Sequence, residues 1–323
     1  MPVVYSRNAS LPFPLPGSPS LLPNNLSLRR DGGALVYVRL NEAVYLSTSG
    51  RNDHHMIPAA AKSHISQTAF VRVQGTDFLV ITSSTGAYLW SADGSSMLYF
   101  LPLADVLKGD TEFQFMRGIA SSDSSVFLGT SLGHILEVLI PSSTGEHGVE
   151  LINTVYVSSS PVSCMHCDEQ HLLVGNDFGD IRCYQTYPRL SENPIVERVG
   201  NGFPCTAIVA RGDCVIAGFS SGHIRGYSIR SGDMVVEVTA HARCITGLAL
   251  HPYDNFVASS SEDQYICVWN FTDFSPRSSK TMDLLCAEKL DNRLCTGLCY
   301  FLDDRIGVTS YDEEEVTVLQ RMP

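Results

Sequence analysis

Residues 218–227 read GFSSGHIRGY, and this stretch decides the fold because it recurs along the chain. Similar stretches are GTSLGHILEV from residue 129, GNDFGDIRCY from 175 and SSEDQYICVW from 260. All four carry isoleucine at the seventh position and an apolar or aromatic residue at the tenth. The first three of these segments in chain order also carry glycine at positions one and five. Because the stretch is repeated, a motif inside it is first explained as part of the repeating structural unit.

Weaker copies extend the repeat over the rest of the chain. VRLNEAVYLS begins at residue 38, TSSTGAYLW at 82 and SYDEEEVTVL at 310, which gives seven copies 42 to 50 residues apart. Strand-rich repeats of ~40–50 residues, separated by turns, are typical of propeller blades. The spacing therefore predicts an all-β chain with seven blades.

A complete unit reads as four short strands. The fifth runs CTAIVA, CVIAGFS, HIRGYSI and MVVEVTA, with turns of Gly, Asp and Ser between the strands. Such a sheet is apolar on both faces and has to be packed between copies of itself. We predict one domain over 1–323, a seven-bladed β-propeller with approximate blades 24–65, 66–110, 111–158, 159–200, 201–240, 241–283 and 284–323.

The last unit has only three strands, which leaves its sheet incomplete. An N-terminal strand over residues 2–7 (PVVYSR) belongs to no unit of its own. We predict that this strand pairs with the last blade and closes the ring. The proline-rich segment 11–23 would then be the linker to blade 1.

Composition excludes several classes of function. The net charge is −12, with 22 basic residues spread along the chain, whereas nucleic-acid and anionic-lipid binding need clustered Lys and Arg. There is no run of 18 apolar residues, and prolines interrupt residues 12–23, so neither membrane insertion nor a signal helix is indicated. We expect a cytoplasmic protein that needs no cofactor.

Residues 240–269 resemble the WD-repeat pattern: a short residue and His, an apolar strand, HP, a Ser-rich strand end, Asp, and Trp six residues later. The resemblance implies a structural tetrad of His241, Ser259, Asp263 and Trp269. Their four polar groups can satisfy one another in series. The alternative is a hydrolase triad, but the chain has no G-x-S-x-G turn to expose the serine.

Four segments are similar to the family of WD repeat-containing protein 54. They are FMRGIA (115–120), AGFSSGHIRGYSIRSGDM (217–234), AHARCITGL (240–248) and VTSYD (308–312). The resemblance implies a non-enzymatic propeller that acts through protein partners.

A second chemical alternative rests on CMHC. Cys164, His166 and Cys167 could bind a metal or exchange thiols. No second ligand pair at similar spacing follows, and a buried strand with free thiols explains the same residues. We therefore predict no metal site.

The loops that enter each blade and the turns between second and third strands are the usual docking face of a propeller. Aromatic and Arg residues on such loops are typical interface anchors, although they can also pack between blades. An acidic run in the last blade would favour a basic peptide or, alternatively, form a solvated turn. The candidate residues are Arg117, Phe178, Phe203, Arg243, Glu262, Tyr311, Asp312, Glu313, Glu314 and Glu315.

The leading prediction is a non-enzymatic scaffold or signalling adaptor that binds proteins, with self-association left open. The alternative is a structural subunit of a ciliary or cytoskeletal assembly, with segments 51–66 and 272–283 as docking extensions. An enzyme that uses His241 and Ser259, or the CMHC residues, is the third class.

Overall fold

The computed structural model describes residues 4–7, 13–49, 53–58, 63–106, 114–141, 148–168, 170–271 and 281–322. Its strands coincide with the apolar, β-branched runs of the repeat, because such residues fit a sheet that is buried on both faces. The two strands that precede the first blade are β1 Tyr5–Arg7 and β2 Phe13–Pro14.

Blades 1 to 3 follow in chain order, with one short helix after the second blade. Their elements are β3 Ser27–Leu28, β4 Ala34–Arg39, β5 Glu42–Ser47, β6 His54–Pro58; β7 Ile65–Val73, β8 Thr76–Ser83, β9 Gly86–Ser91, β10 Met97–Pro102, α1 Leu103–Val106; β11 Met116–Ser121, β12 Ser125–Thr130, β13 His134–Leu139 and β14 Glu150–Tyr156.

Blades 4 to 7 continue the same pattern, and blade 7 has three strands of its own. Their elements are β15 Val162–Cys167, β16 His171–Asn176, β17 Ile181–Gln185, β18 Val196–Arg198; β19 Cys205–Arg211, β20 Cys214–Phe219, β21 His223–Ser228, β22 Met234–Thr239; β23 Ile245–Leu250, β24 Phe256–Ser261, β25 Tyr265–Phe271, β26 Met282–Lys289; β27 Leu294–Tyr300, β28 Ile306–Tyr311 and β29 Glu315–Arg321.

Each blade is an antiparallel meander, and the first strand of each blade lies beside the first strands of its neighbours. The contacts run around the ring from β7 through β11, β15, β19, β23 and β27 and return to blade 1. The prediction of an all-β, seven-bladed propeller is confirmed. Within the described residues, no helix has the length and apolarity to cross a membrane.

The ring closes through the N-terminal strands, as predicted. In β1, Tyr5 pairs with Arg321 and Arg7 pairs with Leu319. The outer strand of blade 7 has a second part, however, because β2 also pairs with β29. Residues 2 and 3 of the predicted N-terminal strand lie outside the described residues.

A polar network centred on Asp304 fixes this closure. Its carboxylate accepts hydrogen bonds from the Tyr5 hydroxyl, from His251 Nε2 at 2.8 Å and from Arg321 Nη1 at 3.0 Å. His251 Nδ1 accepts the backbone N–H of Asp254 at 2.8 Å, so the ring proton lies on Nε2 and is donated to Asp304. One carboxylate thus connects β1, blade 6, blade 7 and β29.

The proline-rich segment differs from the simple linker that the sequence predicts. Residues 15–24, here called the strap, pack on blades 7 and 1, with Leu15, Gly17 and Pro19 buried in alternation. The Leu15 N–H donates to the Glu314 carbonyl at 2.9 Å, and the Tyr37 hydroxyl donates to the Gly17 carbonyl at 2.7 Å. Alternating burial is the pattern of an extended chain lying on a surface.

At its end the strap reaches across the ring. Asn24 donates its backbone N–H to the Thr246 carbonyl and its side-chain amide to the Thr206 carbonyl, each at 2.7 Å. The next residue, Asn25, donates to the Thr296 carbonyl at 3.0 Å. These carbonyls belong to the innermost strands of blades 5, 6 and 7, so the strap end covers this part of the centre of the ring.

Candidate docking face and the polar network of blade 6

The four side chains of the predicted tetrad lie in one hydrogen-bonded chain in blade 6. The Trp269 indole N–H donates to Ser259 Oγ at 2.9 Å, and Ser259 Oγ lies 2.8 Å from His241 Nε2. His241 Nδ1 lies 3.1 Å from both carboxylate oxygens of Asp263. The backbone N–H groups of Ala242 and Tyr265 complete the shell of that carboxylate.

The partners determine the proton positions. Asp263 only accepts, so His241 Nδ1 carries the proton and Nε2 accepts from the Ser259 hydroxyl. Burial lowers the pKa of His241 below its ordinary 6.5, although the nearby Asp263 charge opposes this effect. The imidazole is therefore neutral at physiological pH, and the chain from indole to carboxylate is fully paired.

This arrangement makes Ser259 unavailable as a nucleophile. Ser259 has 0% of its surface exposed, and its oxygen is already engaged by Trp269 and His241. A hydrolytic serine has to be reachable and needs oxyanion donors beside it. The geometry is that of an internal brace for blade 6.

The CMHC residues do not converge on one point. Cys164 packs in the apolar cluster between blades 4 and 5, whereas Cys167 contacts the cluster between blades 3 and 4. The sulfur of Cys164 instead lies 3.6 Å from that of Cys205 in blade 5. Among the described residues, no group of three or more His, Cys, Asp or Glu side chains could hold a metal ion.

The turns between second and third strands share one end of the ring with the loops that enter each first strand, and we call this end the turn face. On it, blades 4 and 5 together display Phe178, Val199 and Phe203, which are 64%, 85% and 49% exposed. We call these three residues the apolar patch. Phe178 and Phe203 were candidates from the sequence, whereas Val199 was not.

Buried polar groups hold the apolar patch in place. The Asn176 side chain accepts the backbone N–H of Phe178 at 3.0 Å and of Asp180 at 2.8 Å. Asp180 in turn accepts the Gly200 N–H at 2.8 Å, and the Gly202 N–H donates to the Phe178 carbonyl at 3.0 Å. The turn that carries Phe178 and the loop that carries Val199 and Phe203 are thereby joined.

Sequence reasoning missed Asn176 and Asp180 because blade 4 lacks the residues of the blade 6 network. The signal that could have found them is an Asn four residues before an Asp across a turn that contains glycine. Asn side chains commonly accept backbone N–H groups in such turns. Gly179 has φ +84°, a conformation that favours glycine.

Two arginines flank the apolar patch along the ring. Arg117 Nη2 donates to the Asp177 carboxylate at 2.7 Å. This ion pair connects blade 3 to the blade 4 turn and neutralises the charge of Arg117. Arg243 lies exposed on the loop into blade 6, next to the turn of blade 5. Glu262 is half-buried in the blade 6 turn, where its N–H donates to the Cys244 carbonyl at 3.1 Å.

The acidic run is less exposed than four consecutive charges suggest. Arg293 Nη2 contacts Glu313 at 3.3 Å and Glu315 at 2.8 Å, and Glu315 also accepts from Arg7. The turn itself is held to the strap, since the Asp312 N–H donates to Ser18 Oγ at 2.7 Å. Tyr311, Asp312 and Glu314 remain exposed.

The proposed docking extensions lie partly outside the described residues: 51–52 and 59–62 of the first segment, and 272–280 of the second.

Comparison with known proteins places this architecture in a family. The family model WDR54 matches residues 13–321. The chain belongs to the WDR54 family. WD repeat-containing protein 54 from Mus musculus is 25% identical over 335 residues, covering 97% of this chain and 98% of that relative. The protein of the same name from Homo sapiens is 25% identical over 326 residues, which cover 94% and 96%. The family resemblance seen in the sequence is confirmed.

Solved structures support the fold at lower identity. A chain in the crystal structure of the Mitotic Checkpoint Complex matches with a TM-score of 0.78 and 12% identity, covering 98% of this chain and 92% of that chain. The structure of U3-55K matches with a TM-score of 0.74 and 15% identity, covering 97% and 99%. Likeness at this identity shows the fold alone.

Proposed function

We propose that this WDR54-family propeller is a non-enzymatic scaffold that binds a partner protein through the apolar patch on the turn face. The observation that best supports this proposal is the exposure of Phe178, Val199 and Phe203 on two loops that hydrogen bonds join. Large apolar side chains held in fixed positions are efficient interface anchors, because little conformational entropy is lost when they are covered.

The surroundings of the apolar patch support this assignment. Arg117 is neutralised by Asp177, while Arg243 is exposed and offers hydrogen-bond donors at the rim. An apolar centre with a polar rim is the usual anatomy of a protein interface. The brace in blade 6 supports the non-enzymatic assignment, because Ser259 and His241 satisfy each other inside the blade.

The test is affinity purification from cells with variants of the apolar patch. Phe178→Ser combined with Val199→Ser should reduce recovery of a partner set by at least ~10-fold, as expected when anchor residues are removed. Tyr187→Ser with Tyr253→Ser is the matched control, because these side chains are 77% and 73% exposed on the opposite face. Thermal melting verifies that both variants fold. Equal recovery with all three proteins would reject the proposal.

A second arm addresses a basic partner. Asp312→Ser with Glu314→Ser removes the two acids of the run that are exposed in the structure. If a partner set is lost in this variant alone, the docking site is the acidic turn of blade 7 and not the apolar patch. Unchanged recovery would leave that turn as a solvated element.

A further inference from the structure

Two buried cysteines meet where blade 4 packs against blade 5, the two blades that carry the apolar patch. Cys164 lies on β15 of blade 4, and Cys205 is the first residue of β19 of blade 5, so their contact joins two blades. Their sulfur atoms are 3.6 Å apart, and the Cys164 thiol also lies 3.3 Å from the Cys205 carbonyl. We infer that Cys164 and Cys205 form a reversible disulfide that links blade 4 to blade 5.

Gly175 provides the space in which the two sulfurs meet. It is the register partner of Cys164 in the neighbouring strand. A Cβ atom on this glycine would lie 2.8 Å from each sulfur and 2.9 Å from the Cys205 Cβ. A side chain there would separate the thiols, whereas glycine lets them close from 3.6 Å to the ~2.05 Å of a disulfide bond.

The reaction is a two-electron oxidation by a small peroxide. One thiol sulfur attacks an oxygen of hydrogen peroxide and becomes a sulfenic acid, and one water leaves. The second thiol sulfur then displaces the hydroxyl group, which departs with the thiol proton as a second water. Two thiols and one peroxide give one disulfide and two waters, and an added dithiol reduces this disulfide to the two thiols while it is itself oxidised to a disulfide.

The pair should react slowly. The hydrogen bond with Cys164 and burial together raise the pKa of Cys205 well above the ordinary thiol value. The thiolate is the reactive form of cysteine, and a raised pKa leaves less of it at neutral pH. Oxidation of the pair is therefore slow. Cys244 is more exposed, with a pKa raised to about 11, and provides an internal reference for the oxidation rate.

The position of the pair connects it to docking. Phe178 follows Gly175 by three residues, and Phe203 precedes Cys205 by two. A covalent bond between Cys164 and Cys205 would add a covalent link close to the two loops of the apolar patch, which hydrogen bonds already join. This consequence rests on the proposed function, whereas disulfide formation itself does not.

The experiment oxidises the full chain with hydrogen peroxide, blocks free thiols with N-ethylmaleimide in denaturant and maps peptides by mass spectrometry. We expect a Cys164–Cys205 peptide pair that has lost two hydrogen atoms and separates after dithiothreitol. Cys205→Ser should abolish the linked pair. Cys167→Ser, on the same strand but packed toward blade 3, is the matched control and should retain it.

Recovery of both cysteines as maleimide adducts from folded, peroxide-treated protein would overturn the inference. Linkage formed only in urea-unfolded protein would overturn it as well. If the disulfide forms but recovery of the partner set stays unchanged, the coupling to docking is rejected while the redox site stands.

Discussion

At the residue scale, blade 6 shows how one set of polar side chains can be satisfied inside an apolar sheet. Ser259 is the central member, because its hydroxyl accepts a hydrogen bond from the Trp269 indole N–H and donates one to His241 Nε2. In the repeat alignment blade 5 carries Ala217 at this position and Tyr227 in place of the tryptophan. Blade 5 therefore has neither this hydroxyl nor the indole that donates to it in blade 6.

We expect Ser259→Ala to lower the free energy of unfolding by ~1–3 kcal/mol, because two buried polar groups lose their partner. Urea denaturation monitored by Trp fluorescence measures the change. Ser221→Ala, in a partly exposed turn of blade 5, is the control and should stay within ~0.5 kcal/mol of wild type. If the urea midpoint of Ser259→Ala equals that of wild type, the chain of hydrogen bonds makes no net contribution to stability.

At the element scale, the repeat predicts the strands within each blade, because alternating turns and apolar runs specify local structure. It cannot predict what joins one blade to another. The pairing of Cys164 with Cys205 and the link from Arg117 to Asp177 both join residues of different repeats. The same limit applies to β2, since a two-residue strand containing proline has no local signal.

The Asp304 network is the element-scale contact that we expect to matter most for closure. Burial alone would raise the pKa of Asp304, but hydrogen bonds from Tyr5, Arg321 and His251 outweigh it and lower the pKa. Its contribution is therefore present above the unfolded value of about 3.8 and is lost as the pH falls through the lower folded pKa.

Asp304→Asn should reduce the free energy of unfolding by ~2 kcal/mol at pH 7, because hydrogen bonds to a charged group are replaced by neutral ones. The difference in free energy of unfolding between the variant and wild type should become smaller below pH 3.8, where the wild-type carboxylate becomes protonated in the unfolded state. Thermal melting across pH 3 to 7 tests both statements. Asp303→Asn, which removes an exposed acid on the same loop, is the control. A pH-independent difference would mean that the charge of Asp304 is not what fixes the closure.

At the scale of the whole molecule, ring closure depends on residues that lie far apart in sequence. Tyr5 is 1% exposed and belongs to the cluster that contains Leu298, Tyr300 and Ile306 of blade 7. The sequence predicted this closure because the last repeat has only three strands. It did not predict the strap, whose contacts with Thr206, Thr246 and Glu314 leave no periodic pattern.

Deleting residues 2–7 should lower the urea midpoint, because β29 then loses its partner over Leu319–Arg321 and the pocket for Tyr5 is opened to water. A synthetic peptide of residues 1–12, added in trans, should partly restore the midpoint. Tyr5→Phe keeps the aromatic side chain and removes only its hydroxyl, so this variant should lose less stability than the deletion. An unchanged midpoint after deletion would show that β1 does not hold the ring closed.

The closure has a consequence for how the chain is made. Arg7 and Glu315 form an ion pair although they are 308 residues apart, so the N-terminal strands are synthesised long before their partner exists. Blades 6 and 1 each share an apolar cluster with blade 7, so these two sides stay uncovered until blade 7 has formed. Contacts over such separations form slowly, and the waiting intermediate is prone to aggregate. We therefore expect ring closure to be the last step of folding, completed only after β29 has been synthesised.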